Sequence, residues 1–196
     1  LSEYRTMRTI LSTGSPLVDH NYSFVYNKWK KDVQLSSISG GTDIVSCFAL
    51  GNPLTPVYSG KLQARGLGMS VKSYSASGES LIDAKGELIC DQAFPSMPIY
   101  FVDDPENKKY KQAYFADFNG VWAHGDYINI GDDGSVKIFG RSDSTLNPGG
   151  VRIGTSEIYR VIDRYDKVKD SLAIGLERDG DELILLFVIM CEGYLL

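Results

Sequence analysis

From residue 61 to residue 139 the chain is cut into short β-like runs, at 61–65, 69–74, 86–90, 127–130 and 136–139, each broken off by turn residues. Runs this short, closed in one place by Asp132, Asp133 and Gly134 and in another by Ser77 and Gly78, read as antiparallel strands joined by tight turns. The charged, proline-containing stretch 94–111 reads as loop. A chain with this texture at its centre is confined to a β-rich architecture there, whatever flanks it.

The flanks are of a different kind. Ser15 and Pro16 offer an N-cap and a first-turn proline, after which Val18, Tyr22, Val25 and Trp29 recur at helical spacing. Asp19 in the first turn and Lys28, Lys30 and Lys31 near the last complement the helix dipole. A short strand at 33–39 then runs into a predicted loop at Gly40 and Gly41. Beyond Gly140 a glycine-rich passage leads to a helix from about Ser156, with Ile158, Val161, Ile162 and Tyr165 expected on one face. Two strands, 171–176 and 182–190, follow around a turn at Asp179 and Gly180. The expected class is mixed α+β in three regions: 1–60, an α/β part; 61–140, β-rich and barrel-like; 141–196, a hinge and the start of a small α+β domain.

Composition narrows the partner. A net charge of −5 with no basic run argues against nucleic acid or an anionic membrane surface, and favours a small molecule. The apolar run 183–191 is far short of the roughly 20 residues a spanning helix needs, so no membrane insertion is expected. Cys47, Cys90 and Cys191 are odd in number and scattered, and read as buried thiols of a reducing compartment, the cytosol.

Three constellations bear on chemistry. In Gly40, Gly41, Thr42 and Asp43, bare backbone can approach a phosphate while a hydroxyl and a carboxylate follow; the same residues also suit a simple Asx-type turn. In Trp122, Ala123, His124, Gly125, Asp126 and Tyr127, a carboxylate at a strand entrance can accept both hydroxyls of a ribose diol, or merely cap a turn. His124 invites a base reading because histidine as a residue type titrates near neutrality, but no G-x-S-x-G elbow accompanies it or His20, so a serine-hydrolase triad has no support. The third segment, GRSDSTLNPGGVRIGTSEIY, places Arg141 and Arg152 on either side of a flexible interior, where guanidinium donors suit ribose, phosphate or carboxylate oxygens. Gly66, Leu67 and Gly68 lack the third glycine of a dinucleotide fingerprint, and Ser59, Gly60 and Lys61 lack the glycine spacing of a phosphate loop.

Taken in order, SISGGTDI, WAHGDY and GRSDSTLNPGGVRIGTSEIY resemble the later core motifs of the adenylate-forming acyl-CoA synthetase superfamily, over essentially the whole chain. Within it, SISGGTDIVSCFALGNPLTPVYSGKLQARGLGM and the NPGGVRIGTSEIY hinge are most similar to the branch that activates acetoacetate. The resemblance implies acetoacetate, ATP and CoA as substrates, with Mg²⁺, and an acyl adenylate that CoA discharges with release of AMP. It assigns Gly14, Ser15 and Pro16 to adenine, Gly41 and Thr42 to the nucleotide phosphates, and Asp43 to Mg²⁺. It assigns Asp126 and Arg141 to ribose, Arg152 to phosphate, Asp143 to the hinge pivot and Gly150 to the CoA tunnel. Thr42 and Arg152 are the residues it places in catalysis. Gly40 stands where acetate-activating relatives carry a bulky aromatic, which implies a longer acyl pocket.

The family's upstream Ser/Thr/Gly-rich phosphate loop and its C-terminal Gly-Lys segment have no counterpart here, so the chain alone is expected to be inactive. Two rivals keep part of the reading: a non-catalytic nucleotide-binding module, and an adenylation domain that uses another acyl group or hands the adenylate to a carrier protein.

Overall fold

The computed structural model describes residues 4–142, 145–146, 148, 153–178 and 181–195. It divides into two compact units, Leu1–Ile138 and Phe139–Leu196.

The first unit opens with a strand the sequence reading passed over, β1 (Thr9–Ser12), whose four residues are too few to show a period. It pairs in parallel with β2 (Gln34–Ser37) in the register Thr9 to Gln34 through Ser12 to Ser37. Between them lies the amphipathic helix, but it starts later than Ser15 and Pro16 suggest. Helix α1 is Asp19–Phe24, its N-cap is Val18 without a side-chain cap, and it continues as a π-helical turn, Val25–Trp29. Gly14 explains the delay: its φ of +94° turns the chain out of β1 before any helix can begin. Tyr22 and Val25 bury against Val33 and Leu35, with Ile10, Leu17 and Trp29 packed around them, as helical spacing requires of one apolar face. Tyr22 gives its hydroxyl to the carbonyl of Lys61, 3.1 Å away.

The glycine pair is not a loop. Ser39–Gly41 is a strand, β3, antiparallel to β4 (Ser46–Leu50), which in turn pairs with β5 (Ala64–Arg65). Sequence punctuation misled because glycine usually ends strands; here it permits two backbones to approach, since a Cβ on Gly40 would lie 2.1 Å from the Ser46 carbonyl oxygen.

The β-rich region is an open five-stranded sheet rather than a closed barrel, in the order β10-β9-β8-β6-β7. Its strands are β6 (Val71–Tyr74), β7 (Ser80–Leu81), β8 (Gly86–Cys90), β9 (Trp122–Ile130) and β10 (Val136–Arg141). Alternation along them points Val71, Leu88, Trp122, Ile128, Ile130 and Val136 into one core with Phe48 and Ile44. Asp133 accepts from Ser135 N–H at 2.9 Å and closes the β9–β10 turn as the Asp-Asp-Gly sequence suggests.

The predicted loop at 94–111 is only partly one, because a helix, α2 (Lys108–Tyr114), begins inside it. Two lysines in its first turn oppose the helix dipole, which hid it. The offset comes from upstream: buried Asp104 accepts from Tyr110 N–H at 2.9 Å. Burial pushes the Asp104 carboxyl up, but the N–H groups of Tyr110, Lys109 and Lys108 outweigh it and hold it below the ordinary aspartate range. A carboxyl lowered in the folded state stabilises fully above its unfolded value, about 3.9, and loses that contribution as pH falls through the lower folded value. Asp104→Asn should therefore lose urea resistance at pH 7 and show a shallower further loss on acidification below about pH 4 than the parent. Parallel acid profiles for the two proteins would refute this.

The second unit holds a short antiparallel pair, β11 (Thr145–Leu146) with β12 (Ile153–Gly154), then α3 (Thr155–Ile162). The hairpin β13 (Val168–Arg178) with β14 (Asp181–Met190) is longer than its apolar runs suggest. Ile162 and Ala173 bury here, and Tyr159 accepts the Ala173 N–H at 3.0 Å. Val161 and Tyr165 do not share the buried face; both are more than half exposed, Tyr165 because the helix ends before it. Leu172, Leu176, Leu186, Phe187 and Ile189 are also exposed on the hairpin. Of the cysteines only Cys90 is buried; Cys47 and Cys191 are half-buried, and all three are free thiols. No helix among the described residues is long and apolar enough to cross a membrane.

Candidate functional site

Parallel pairing of β1 with β2 brings their carboxyl ends side by side, the end at which α/β units bind ligands. Gly14, Ser15 and Pro16 leave β1 there, and Ser39, Gly40 and Gly41 leave β2 there, with the Ile38 N–H bonded to Ser12 O at 2.9 Å. Two sequence-predicted segments separated by more than twenty residues thus emerge from adjacent strand ends.

The turn between β3 and β4, residues 42–45, is pinned from below. Ile44 is fully buried in the core, while Thr42, Asp43 and Val45 are exposed. Val45 has a φ of +47°, which for a β-branched residue costs about 1–3 kcal/mol and persists only where surrounding packing fixes it. The Tyr114 hydroxyl at the end of α2 donates to Asp43 Oδ2 and ties the turn to that helix.

Asp126 does not stand at a strand entrance. Strand β9 begins four residues earlier, at Trp122, and passes Asp126 through a bulge. Against β8 its register jumps: Glu87 faces Tyr127 while Ile89 faces Ala123, so two steps on β8 oppose four on β9. The slack is taken up around Gly125, whose φ is +77°. His124 and Asp126 flank that glycine, each about nine-tenths buried, with His124 Nε2 3.7 Å from Asp126 Oδ2.

The two halves meet through aromatic rings. Tyr114 stacks on Trp122 at 3.7 Å between centroids and 13° between planes. The Trp122 indole N–H points to His124 Nδ1 at 3.4 Å, and Phe48 meets the His124 ring edge-on at 4.7 Å. A Cβ on Gly41 would lie 2.9 Å from His124 Cε1, so Gly41 is the residue whose backbone lies against that ring. Gly41, Asp43 and Asp126 therefore border one group of packed rings, Tyr114 half-buried and Trp122, His124 and Phe48 buried. Tyr114 and the packing roles of Trp122 and His124 are not legible in the sequence beyond the run of aromatics around the Asp126 motif.

Of the other predicted residues, Arg141 closes β10 as an exposed side chain of the second unit. Asp143, Gly150 and Arg152 lie outside the described residues. Gly40 faces β4, not open space, as described above. Among the described residues no three His, Cys, Asp or Glu side chains cluster as a metal cage. A lone carboxylate such as Asp43 suits Mg²⁺, which keeps several waters and takes its remaining ligands from substrate phosphates.

No family model matches the chain. Acetoacetyl-coenzyme A synthetase of Rhizobium meliloti (strain 1021) is 52% identical over 188 residues, 96% of this chain. Acetoacetyl-CoA synthetase of Mus musculus is 49% identical over 191 residues, again 96% of this chain. The solved acetoacetyl-CoA synthetase from Streptomyces lividans superposes on 99% of the chain with a TM-score of 0.87 and 41% identity. Over nearly its whole length the chain is similar to proteins named acetoacetyl-CoA synthetase. It spans 29%, 28% and 30% of the length of these three relatives. The anthranilate CoA ligase AuaEII, solved in complex with anthranoyl-AMP, shares the fold over 96% of the chain with a TM-score of 0.74 at 17% identity. The mixed α+β class expected from the sequence is thus observed.

Proposed function

We propose that the chain is part of an ATP-dependent acid-thiol ligase that converts acetoacetate, ATP and CoA to acetoacetyl-CoA, AMP and pyrophosphate. The observation that carries this is identity of about half over nearly the whole chain to proteins named for that product. In the first step an acetoacetate carboxylate oxygen bonds to the α-phosphorus and the bond to pyrophosphate breaks. In the second the CoA sulfur bonds to the acyl carbon, the bond to AMP breaks and the thiol proton is lost. The reading places the protein in the cytosol and in ketone-body and lipid metabolism.

The residue roles follow the motif matching. Gly14, Ser15 and Pro16 line adenine, Gly41 lets backbone approach the phosphates, and Thr42 donates to the α-phosphate. Asp126 and Arg141 hold ribose, Arg152 meets phosphate, Gly150 borders the CoA path, and Asp143 is the pivot. When bound, Mg²⁺ would offset phosphate charge beside Asp43. Residues 1–60 and 61–140 are assigned to the large adenylate-binding domain, and 141–196 to the hinge and small domain.

Support for a shared nucleotide site comes from the adjacent ends of β1 and β2 and from the rings that Gly41, Asp43 and Asp126 border. The test is calorimetric titration of a protein of the relatives' full length, carrying this chain, with a non-hydrolysable acetoacetyl-adenylate analogue. Asp126→Ala should weaken binding about tenfold to a hundredfold, the worth of hydrogen bonds to a charged acceptor. Unchanged affinity would remove Asp126 from the site, and no binding by the parent would remove the function. The 196-residue chain alone should release no pyrophosphate with acetoacetate and ATP. Release that Arg141→Ala abolishes would contradict that.

A further inference from the structure

We infer that Tyr114 is a positioning residue, whose hydroxyl orients the Asp43 carboxylate toward the Mg²⁺ of a bound nucleotide. This rests on the assignment of Asp43 to Mg²⁺ proposed above.

Asp43 lies in a turn whose backbone is anchored on both sides. Ile44 is buried in the core, and the Val45 N–H returns to Thr42 O at 3.2 Å. An anchored backbone still leaves an exposed aspartate its side-chain torsions. The Tyr114 hydroxyl restricts them by donating to Asp43 Oδ2. That donor stands on a firm support. Tyr110 and Tyr114 are one turn apart on α2 and so share a face of the helix. Tyr110 is 7% exposed and gives its hydroxyl to the Pro98 carbonyl. The Tyr114 ring, half-buried, lies 6.1 Å from that of Tyr110 and 6.0 Å from that of Phe101, and it stacks on Trp122 at 3.7 Å. A phenol carries its oxygen rigidly on the ring, so packing that fixes the ring also fixes the hydroxyl. Because the donor comes from 71 residues away, the Gly-Gly-Thr-Asp motif gives no sign of it.

The chemical consequence concerns the other oxygen. A carboxylate whose Oδ2 accepts from a fixed hydroxyl presents Oδ1 in a defined setting. Mg²⁺ demands near-octahedral geometry and takes one or two carboxylates beside waters and substrate phosphates, so it gains from a carboxylate held in advance. Hydrogen bonds that hold metal-binding carboxylates in this way are worth about tenfold to a hundredfold in metal affinity.

The experiment is calorimetric titration of the full-length protein carrying this chain with an ATP analogue that cannot be cleaved between its α- and β-phosphates. Each protein is titrated twice, with Mg²⁺ in excess and with a chelator in its place. The parent should bind more tightly with Mg²⁺, and Asp43→Ala should remove that gain. Tyr114→Phe keeps the ring and its stack without the hydroxyl. It should weaken binding about tenfold with Mg²⁺ and leave binding in chelator unchanged. The double variant should bind as Asp43→Ala does, because Tyr114 acts through that carboxylate. If Asp43→Ala removes the gain and Tyr114→Phe keeps it, the inference is overturned while the Asp43 assignment stands. If Asp43→Ala keeps the gain, the Mg²⁺ assignment falls and the inference with it. Equal weakening of Tyr114→Phe in both media, or a further loss in the double variant, would show a structural role and overturn it as well.

Discussion

Replacing Trp122 by alanine should destabilise the first unit by about 3–5 kcal/mol, the range for large-to-small changes at fully packed aromatic sites. Trp122 is 1% exposed, and Tyr114, Phe94 and Phe115 all lie against its ring, at centroid distances of 3.7, 5.5 and 5.9 Å. These rings are held by their own segments, Tyr114 and Phe115 at the end of α2 and Phe94 in the connection between β8 and α2, which limits collapse into the space. The same change removes the platform under Tyr114, which holds Asp43, and the indole N–H that faces His124 Nδ1. Stability and nucleotide affinity should therefore fall together. Trp122→Phe keeps the stack without the N–H, and should recover most of the stability. Urea denaturation followed by far-ultraviolet circular dichroism measures both. A Trp122→Ala loss below about 1 kcal/mol, the size of an ordinary surface substitution, would show that this cluster does not organise the unit.

What could be read from the sequence and what could not divides along physical lines. Tyr22 and Val25 were legible because a helical face repeats, and the turn at Asp133 because its chemistry is local. Thr42, Asp43 and Asp126 were legible as types, a hydroxyl and carboxylates beside glycine. Their surroundings were not. The β9 bulge adds residues without changing the hydrophobic pattern, so it made Asp126 look like a strand entrance. Tyr114 and Trp122 meet through a contact between a short helix and a strand, and nothing in local spacing reports such a contact. Gly40 and Gly41 illustrate the same limit, since punctuation that usually ends a strand here lets two strands close up.

That closeness decides the outcome of the most tempting specificity experiment. If Gly40 lengthens the acyl pocket by lacking an aromatic side chain, Gly40→Trp should shift preference from acetoacetate to acetate. In this hairpin, however, a Cβ on Gly40 would lie 2.1 Å from Ser46 O and 2.8 Å from Cys47 Cα. Both obstacles are backbone, so no rotamer change relieves them, and β3 must separate from β4. Gly40→Ala should cost about 1–3 kcal/mol as overpacking against an immovable wall, and Gly40→Trp about 3 kcal/mol or more. Separation would also lift Gly41 off His124 and carry Thr42 with it. The expected result for Gly40→Trp is thus loss of affinity for both acids with a lowered denaturation midpoint, not an exchange of preference. Retained stability with a clean switch to acetate would mean that the hairpin opens readily and that pocket length alone sets the acid chosen.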